Sequence, residues 1–425
     1  MQRYEKYKDS GVDWIGEIPK HWECKRLGTW FTERREKVSD KDYAPLSVTK
    51  NGVVPQLDNA AKSNDGDNRK LVKDGDFVIN SRSDRKGSSG LSVLDGSVSL
   101  INIVMKPRNI DGKFAQYLLK SRAFVEEFYR NGHGIVADLW TTRFDEMKFI
   151  NISVPPLEEQ QTIATFLDDK TSKIDQTIAN KQKEIELLKE RRQILIQKAV
   201  TKGLDDTVPL KDSGVDWIGK IPEHWEVRKL MGLCRFVRGN SPFGKDELLN
   251  VGEYVAMQYG KTYKVNEVNE DYNYYVNNEF YKDSQVVNYG DVIMISTSET
   301  IEDLGHTVYY RRNDAGLLGG EQLMLKPKQE KINSQYLYFT SKLFSKELRK
   351  FATGIKVFRF NINDLKTIFT ALPPLSEQNK IANYIETQST KIAKAILLKQ
   401  QEIEKVKEYK TVLVENVVTG KVKIN

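Results

Sequence analysis

Two polar loops hold the residue types best suited to touching nucleic acid. Asn80, Ser81, Arg82, Arg85 and Lys86 fall within residues 80–88, directly after an apolar β-like run. Ser296, Thr297 and Ser298 hold the equivalent place later in the chain, without the arginines. Thr141, Thr142 and Arg143, close to His133, follow the first loop at a distance; Lys356 and Arg359 follow the second. Arg, Asn and Ser present donors and acceptors that match base edges in a major groove. Ser, Thr and Lys hold phosphates. A solvated loop is the plainer reading of any single residue here, whereas the set predicts contact with a duplex. Tyr259, Tyr263, Tyr272, Tyr274 and Tyr275 add rings that can stack on or bond to bases, although a sheet surface uses the same residues.

Other chemistry lacks its residues. The four histidines (His21, His133, His224, His306) lie far apart and show no metal-ligand spacing. No GxxxxGK[ST] loop is present to cradle phosphates, and no GxGxxG follows a strand. Val154-Pro155-Pro156-Leu157 and Leu372-Pro373-Pro374-Leu375 share a Pro-Pro with the Asn-Pro-Pro-Tyr of amino-methyltransferases, but lack both the polar residue before it and the aromatic after it. No catalytic, metal or cofactor site is therefore expected within the chain. His21 and His224 recur in Ile-Pro-x-His-Trp, where a structural role beside Trp14, Trp22, Trp217 and Trp225 is expected, in a turn stiffened by Pro19 and Pro222.

Composition sets outer bounds. With 425 residues there is room for two or three domains. The formal charge of +7 and pI of about 8.9 permit nucleic-acid binding without establishing it. No apolar run approaches the ~18 residues that span a bilayer. The start, MQRYEKYKDSG, has no apolar stretch and reads as no signal peptide. Cys24 and Cys234 give no disulfide framework, and the expected compartment is the cytoplasm.

The elements that position the loops are written twice. KDSGVDWIGEIPKHWE at 8–23 returns as KDSGVDWIGKIPEHWE at 211–226, an offset of 203. The two differences exchange charge, Glu17/Lys20 becoming Lys220/Glu223, which predicts an exposed Glu–Lys contact. VPPLEEQ at 154–160 returns as LPPLSEQ at 372–378, an offset of 218. Between these signatures the second copy is 15 residues longer, and similarity nearly vanishes. A tandem duplication with constant ends and changed middles separates a scaffold from a variable reading head.

After each Pro-Pro the chain reads as a helix, over 157–202 and 375–419, stopped by Gly203 and Gly420. Ser376 is expected to cap the second. The first carries a 3-4 seam of Ile174, Ile178, Lys181, Ile185, Leu188, Arg192, Leu195 and Ala199. At an offset of 218 the second carries Ile392, Ile396, Lys399, Ile403, Val406, Lys410, Leu413 and Val417. Such a seam predicts a coiled coil, and a two-fold relation between the copies requires it to be antiparallel. The middles, 24–153 and 227–371, read as mixed α/β. Strands are expected over 74–79 and 289–295, further strands ending at Pro107 and Pro327, and amphipathic helices over 113–129 and 334–350.

The repeated SGVxWIGxIPxHWE, the (Val/Leu)-Pro-Pro-Leu-x-Glu-Gln and the long helix after it resemble, along the whole chain and in the same order, the specificity subunit of type I restriction–modification systems. The resemblance implies an α+β fold: two mixed α/β target-recognition domains joined by two long helices, in an antiparallel coiled coil with a pseudo-two-fold repeat. The boundaries would be 1–153 and 204–371 for the recognition domains, and 154–203 and 372–425 for the helices. Each recognition domain would read half of a bipartite, asymmetric double-stranded DNA site, and the helix pair would set the gap. Two methyltransferase (modification) subunits would bind this scaffold and use S-adenosylmethionine. Restriction subunits would add ATP- and Mg-dependent translocation and cleavage. No cofactor would bind to this chain itself, and no membrane is involved. The competing reading is a coiled-coil scaffold that binds proteins and never reads DNA.

Overall fold

In the computed structural model, which describes residues 2–58, 66–134 and 140–424, each signature folds first as a small antiparallel hairpin. In the first copy Tyr7–Asp9 pairs with Glu17–Pro19, and in the second Leu210–Asp212 pairs with Lys220–Pro222. The turns close through Gly16 and Gly219, both at φ +69, a conformation that favours glycine. Ile18, Trp22, Ile221 and Trp225 behind the hairpins are fully buried. Among the described residues no ion pair joins Glu17 to Lys20 or Lys220 to Glu223. Glu17 instead lies 3.8 Å from Arg3, so the expected contact is not the reason for the charge exchange.

The strand leaving each signature pairs with the strand that enters the Pro-Pro. Glu23–Arg26 runs antiparallel to Asn151–Val154, and Glu226–Lys229 to Phe369–Leu372. The two motifs are thus neighbours in space, although more than a hundred residues separate them in sequence. Helices Leu157–Lys202 and Leu375–Val418 begin directly after. In the second, the Pro374 carbonyl accepts from Glu377 N at 2.9 Å and Gln378 N at 3.0 Å. Pro374 therefore holds the capping position, and Ser376 lies inside the helix, not at its cap. A proline fits there because the first amides of a helix need no partner upstream.

The first turn of each helix carries a Glu-Gln pair that locks the copy together. Glu159 accepts from Tyr4 Oη at 2.6 Å and Trp22 Nε1 at 3.2 Å, and lies 2.7 Å from His21 Nε2. Glu377 accepts from Trp225 Nε1 at 3.1 Å and lies 2.8 Å from His224 Nε2. Gln160 accepts from Asp111 N at 2.7 Å and donates to the Pro155 carbonyl at 2.8 Å. Gln378 does the same with Asn333 N and the Pro373 carbonyl, both at 2.8 Å. Asp111 and Asn333 are the N-caps of the next helices, Gly112–Leu119 and Ser334–Leu348.

Contacts divide the chain into two compact units, Met1–Lys183 with Lys399–Asn425, and Glu184–Leu398. Each long helix contributes to both. In the first unit, a four-stranded antiparallel sheet runs Ser89–Leu91, Phe77–Asn80, Asn102–Pro107, Phe31–Glu33. Side chains alternate across a strand. Phe77, Ile79, Ile103 and Met105 accordingly face the large core with the helices, and Val78 and Val104 face a smaller core with Leu46, Val53, Val72 and Val98. The helix expected over 113–129 is broken in two, Gly112–Leu119 and Arg122–Arg130. Ser121 caps the second by accepting from Phe124 N at 3.4 Å. The second unit centres on a five-stranded sheet, Cys234–Arg238, Gln322–Pro327, Val292–Ile295, Thr307–Tyr310, Glu267–Val268, whose last pair is parallel.

The long helices pack antiparallel within each unit. In the first, Lys181 Nζ meets Glu402 at 2.6 Å and Lys410 Nζ meets Asp175 at 2.6 Å, so one number falls as the other rises. In the second, Ile196, Ala199 and Val200 share a core with Ile381, Ala382 and Ile385. Along the seam, Ile185, Ile392, Ile403 and Leu413 are buried, while Ile174, Ile178, Leu188, Leu195, Ile396 and Val406 are half-buried. Leu187, Ile194, Leu397, Leu398 and Val412, off the seam, are exposed. Gly203 at φ +77 and Gly420 at φ +74 end the helices in the left-handed conformation. Past Gly420, Lys423 N donates to the Gln2 carbonyl at 2.8 Å, and Tyr7 Oη donates to the Gly420 carbonyl at 3.2 Å.

Glu159→Gln should lower unfolding free energy by about 1–3 kcal/mol in denaturant titrations, because a neutral amide weakens bonds that a carboxylate accepts. Gly420→Ala should cost more than Gly16→Ala. Both add left-handed strain of about 1–2 kcal/mol, but only at Gly420 would the new methyl collide with the Pro19 ring.

Candidate nucleic-acid interface

In each unit a central strand of the main sheet ends in a polar loop, and a second segment pins that loop. In the first unit Asn80 closes its strand, and its Oδ1 accepts from Arg82 N at 3.0 Å. Thr142 N donates to the Ser81 carbonyl at 3.0 Å, and Ser83 N to the Trp140 carbonyl at 2.9 Å. Thr141 and His133 exchange backbone bonds of 3.0 and 3.1 Å, so 133–134 and 140–143 act as a staple. The short helix Phe144–Met147 then starts at Arg143, whose backbone N donates to Glu146 at 2.7 Å. Sequence had kept these two polar clusters apart, and the structure brings them into one surface.

Burial sorts the residues of that surface. Asn80, Ser81 and Thr142 are buried, and Asn80 Oδ1 and the Thr142 hydroxyl bond to the protein. Thr142 Oγ1 donates to the Phe128 carbonyl at 2.9 Å, and Tyr129 Oη donates to the Asn80 carbonyl at 3.0 Å. Burial pushes the Tyr129 phenol up to about 12, which keeps it a donor. Arg82, Arg85, Lys86 and Arg143 are exposed, with Trp140 beside them, and Thr141 is half-buried. Lys86 is held by Glu126 at 2.5 Å, and Arg85 lies 3.6 Å from Asp84. Among the described residues Arg82 and Arg143 have no carboxylate partner, so two guanidiniums with five donors each are available to an anion.

The second unit builds the same device from other residues. Thr297–Ser298 pairs antiparallel with Phe358–Arg359, and Phe360 N donates to the Ser296 carbonyl at 3.2 Å. Thr353 and Arg359 exchange two 2.9 Å bonds, forming a hairpin whose tip carries Ile355, Lys356 and Val357, all exposed. Ser296, Thr297 and Ser298 are buried. Thr297 Oγ1 donates to the Glu321 carboxylate, and Arg359 lies 3.8 Å from the same group. The helix Ile362–Thr367 follows, capped by Asn361. This surface is less basic than the first. Of the five tyrosines, Tyr272 is a core residue whose hydroxyl donates to the Ala256 carbonyl at 3.0 Å. Tyr274 packs edge-on against it, and Tyr275 accepts from Arg312 at 3.2 Å. Tyr259 and Tyr263 stack at 6.3 Å, and Tyr263 donates to Asp303 at 2.8 Å.

Sequence reasoning missed the Glu-Gln pairs at 159–160 and 377–378, which hold each signature and each capped helix in place. Their recurrence in both Pro-Pro motifs was the available signal. Among the described residues no group of three His, Cys, Asp or Glu side chains is placed to hold a metal ion, and no helix is long and apolar enough to cross a membrane.

The family described as type I restriction modification DNA specificity domain matches residues 19–187 and again 222–408. The type I restriction enzyme MjaVIII specificity subunit of Methanocaldococcus jannaschii is 25% identical over 430 residues, covering 96% of this chain and 94% of that protein. A solved chain from work on complex assembly and conformational transition of the type I R-M system superposes with a TM-score of 0.73 at 16% identity, over 95% of this chain and 99% of that one. The HsdS subunit from Thermoanaerobacter tengcongensis superposes at 0.55 with 17% identity, over 95% and 98%. These two likenesses concern the fold.

Thr142→Val should cost about 1 kcal/mol by leaving the Phe128 carbonyl unpaired. Arg82→Ala should change stability by less than about 0.5 kcal/mol. Thermal melts of both variants check this division between positioning and exposed groups.

Proposed function

This chain belongs to the type I restriction modification DNA specificity family, and from that premise we propose how it recognises DNA. It is a non-catalytic subunit that selects a duplex sequence for activities carried on other chains. Residues 1–153 and 204–371 are the two target-recognition domains, each reading one half of a bipartite, asymmetric site. Residues 154–203 and 372–425 are the conserved helices, and the number of helical residues between the domains sets the spacer. Two modification subunits bring S-adenosylmethionine to this scaffold, and restriction subunits bring ATP and Mg, in the cytoplasm.

The observation that carries this reading is one loop-and-staple device built twice from unrelated residues. A similarly pinned loop with altered surface chemistry suits two heads that read different half-sites. Arg82, Arg85, Lys86, Thr141 and Arg143 would meet one half-site, and Lys356 and Arg359 the other. Asn80, Ser81, Thr142, Ser296, Thr297 and Ser298 would hold the loops in position beneath them. A protein-only scaffold gives no reason for such a device. Joining two modest binding events on one body makes the second effectively intramolecular, so each head can be weak while the pair is selective.

Exchanging residues 24–153 for those of another family member should change one half of the methylated motif and leave the other intact, as mapped by single-molecule sequencing of host DNA. An unchanged motif overturns the reading. Arg82→Ala with Arg143→Ala should flatten the slope of log affinity against log salt by about 1 for each phosphate that is no longer neutralised. An unaltered slope removes these arginines from the interface.

A further inference from the structure

The pinned loop of the second unit is bordered by a carboxylate that has no counterpart in the first. Glu321 precedes the sheet strand Gln322–Pro327, as Ile101 precedes Asn102–Pro107. Both residues give their backbone carbonyl to the loop. Ser81 N donates to the Ile101 carbonyl at 3.2 Å, and Ser296 N to the Glu321 carbonyl at 3.3 Å. Ile101 and Glu321 thus hold the same place and make the same backbone bond, and the side chain is what differs.

The backbone at Glu321 is strained. Its φ is +62, and among the described residues Asn109 is the only other non-glycine residue at positive φ. Asparagine enters that region readily, and glutamate does not. A glycine, such as Gly319 and Gly320 just before it, would make the same carbonyl bond without strain. A conformation that costs stability and is kept for one side chain points to a use for that side chain. Thr297 Oγ1 donates to Glu321 Oε2, and Arg359 lies 3.8 Å from the same oxygen. Among the described residues Oε1 accepts no hydrogen bond, and the side chain is 51% exposed. One oxygen is anchored and the other faces solvent.

A carboxylate on a surface that meets phosphates is repelled by them, so it needs a compensating donor from the DNA. In the major groove the bases offer the amino groups of cytosine N4 and adenine N6. Adenine sets the acceptor N7 beside its amino group, which repels a carboxylate, whereas cytosine does not. Arg359, beside Glu321, carries the donors that match O6 and N7 of the guanine in the same pair. We propose that Glu321 is a specificity-determining residue that accepts from the N4 amino group of a cytosine in the half-site addressed by residues 204–371. This rests on the DNA-reading function proposed above. The first unit, with Ile101 at this place, reads its half-site without such a contact.

The test uses the full chain assembled with its modification subunits, and maps the methylated motif for the parent and for Glu321→Gln. The variant keeps an acceptor for Thr297, but its amide matches adenine N6 and N7. Preference for cytosine over adenine should fall by about tenfold at one position of one half-site, with the rest of the motif unchanged. A second measurement rests on the parent. Each cytosine of that half-site is replaced in turn by 2-pyrimidinone, which lacks the amino group. Binding should weaken by about tenfold at one position, and Glu321→Ala should not respond to the replacement there. A half-site without a G·C pair, an unchanged motif in Glu321→Gln, or an equal loss of affinity for every sequence would each overturn the proposal and leave DNA reading standing. The last of these would make Glu321 a support for Thr297 and Arg359 alone. A parent complex with no sequence preference would overturn both.

Discussion

A single carboxylate at the start of each long helix ties the signature of each copy to its Pro-Pro motif. Glu159 and Glu377 accept from an indole and contact an imidazole in the signature, while the adjacent Gln160 and Gln378 bind the amide of the next helix cap. The positive end of the helix dipole favours an acidic side chain there. Three separate segments therefore converge on one helical turn. This accounts for two short motifs that keep their residues while the chain between them does not: each is the other's binding partner.

The same geometry explains how the middles can differ so widely. The clamp fixes the strand entering a variable segment and the strand leaving it, together with the cap of the helix that covers its sheet. Inside that frame one unit builds four antiparallel strands and the other five with a parallel edge. Both deliver a central strand to the same kind of pinned loop. Fixed ends and a fixed exit are enough to aim the loop, and the sheet needs only to be buried.

Sequence made the frame legible because its signals are local or repeated. The duplication, the helix stops at Gly203 and Gly420 and the 3-4 seam all follow from spacing. What it did not show depends on contacts between distant segments. The meeting of 80–86 with 140–143 rests on backbone hydrogen bonds, which leave no pattern in side chains. Ser121 reads as an ordinary helix residue until it accepts from Phe124 N, and Ser376 resembles a cap until Pro374 takes that position. Polarity alone did not reveal that Asn80, Ser81 and Thr142 are buried. The exchange at 17/20 and 220/223 has no structural account.

The junction after Gly420 has a topological meaning. In the second copy, residues 204–209 join the helix end at Gly203 to the hairpin strand Leu210–Asp212 by peptide bonds. In the first, the same junction from Gly420 to Tyr7–Asp9 is closed by hydrogen bonds from Lys423 and Tyr7. The same join is thus covalent in one copy and held by hydrogen bonds in the other, so the architecture needs the two elements to meet and does not need a peptide bond between them.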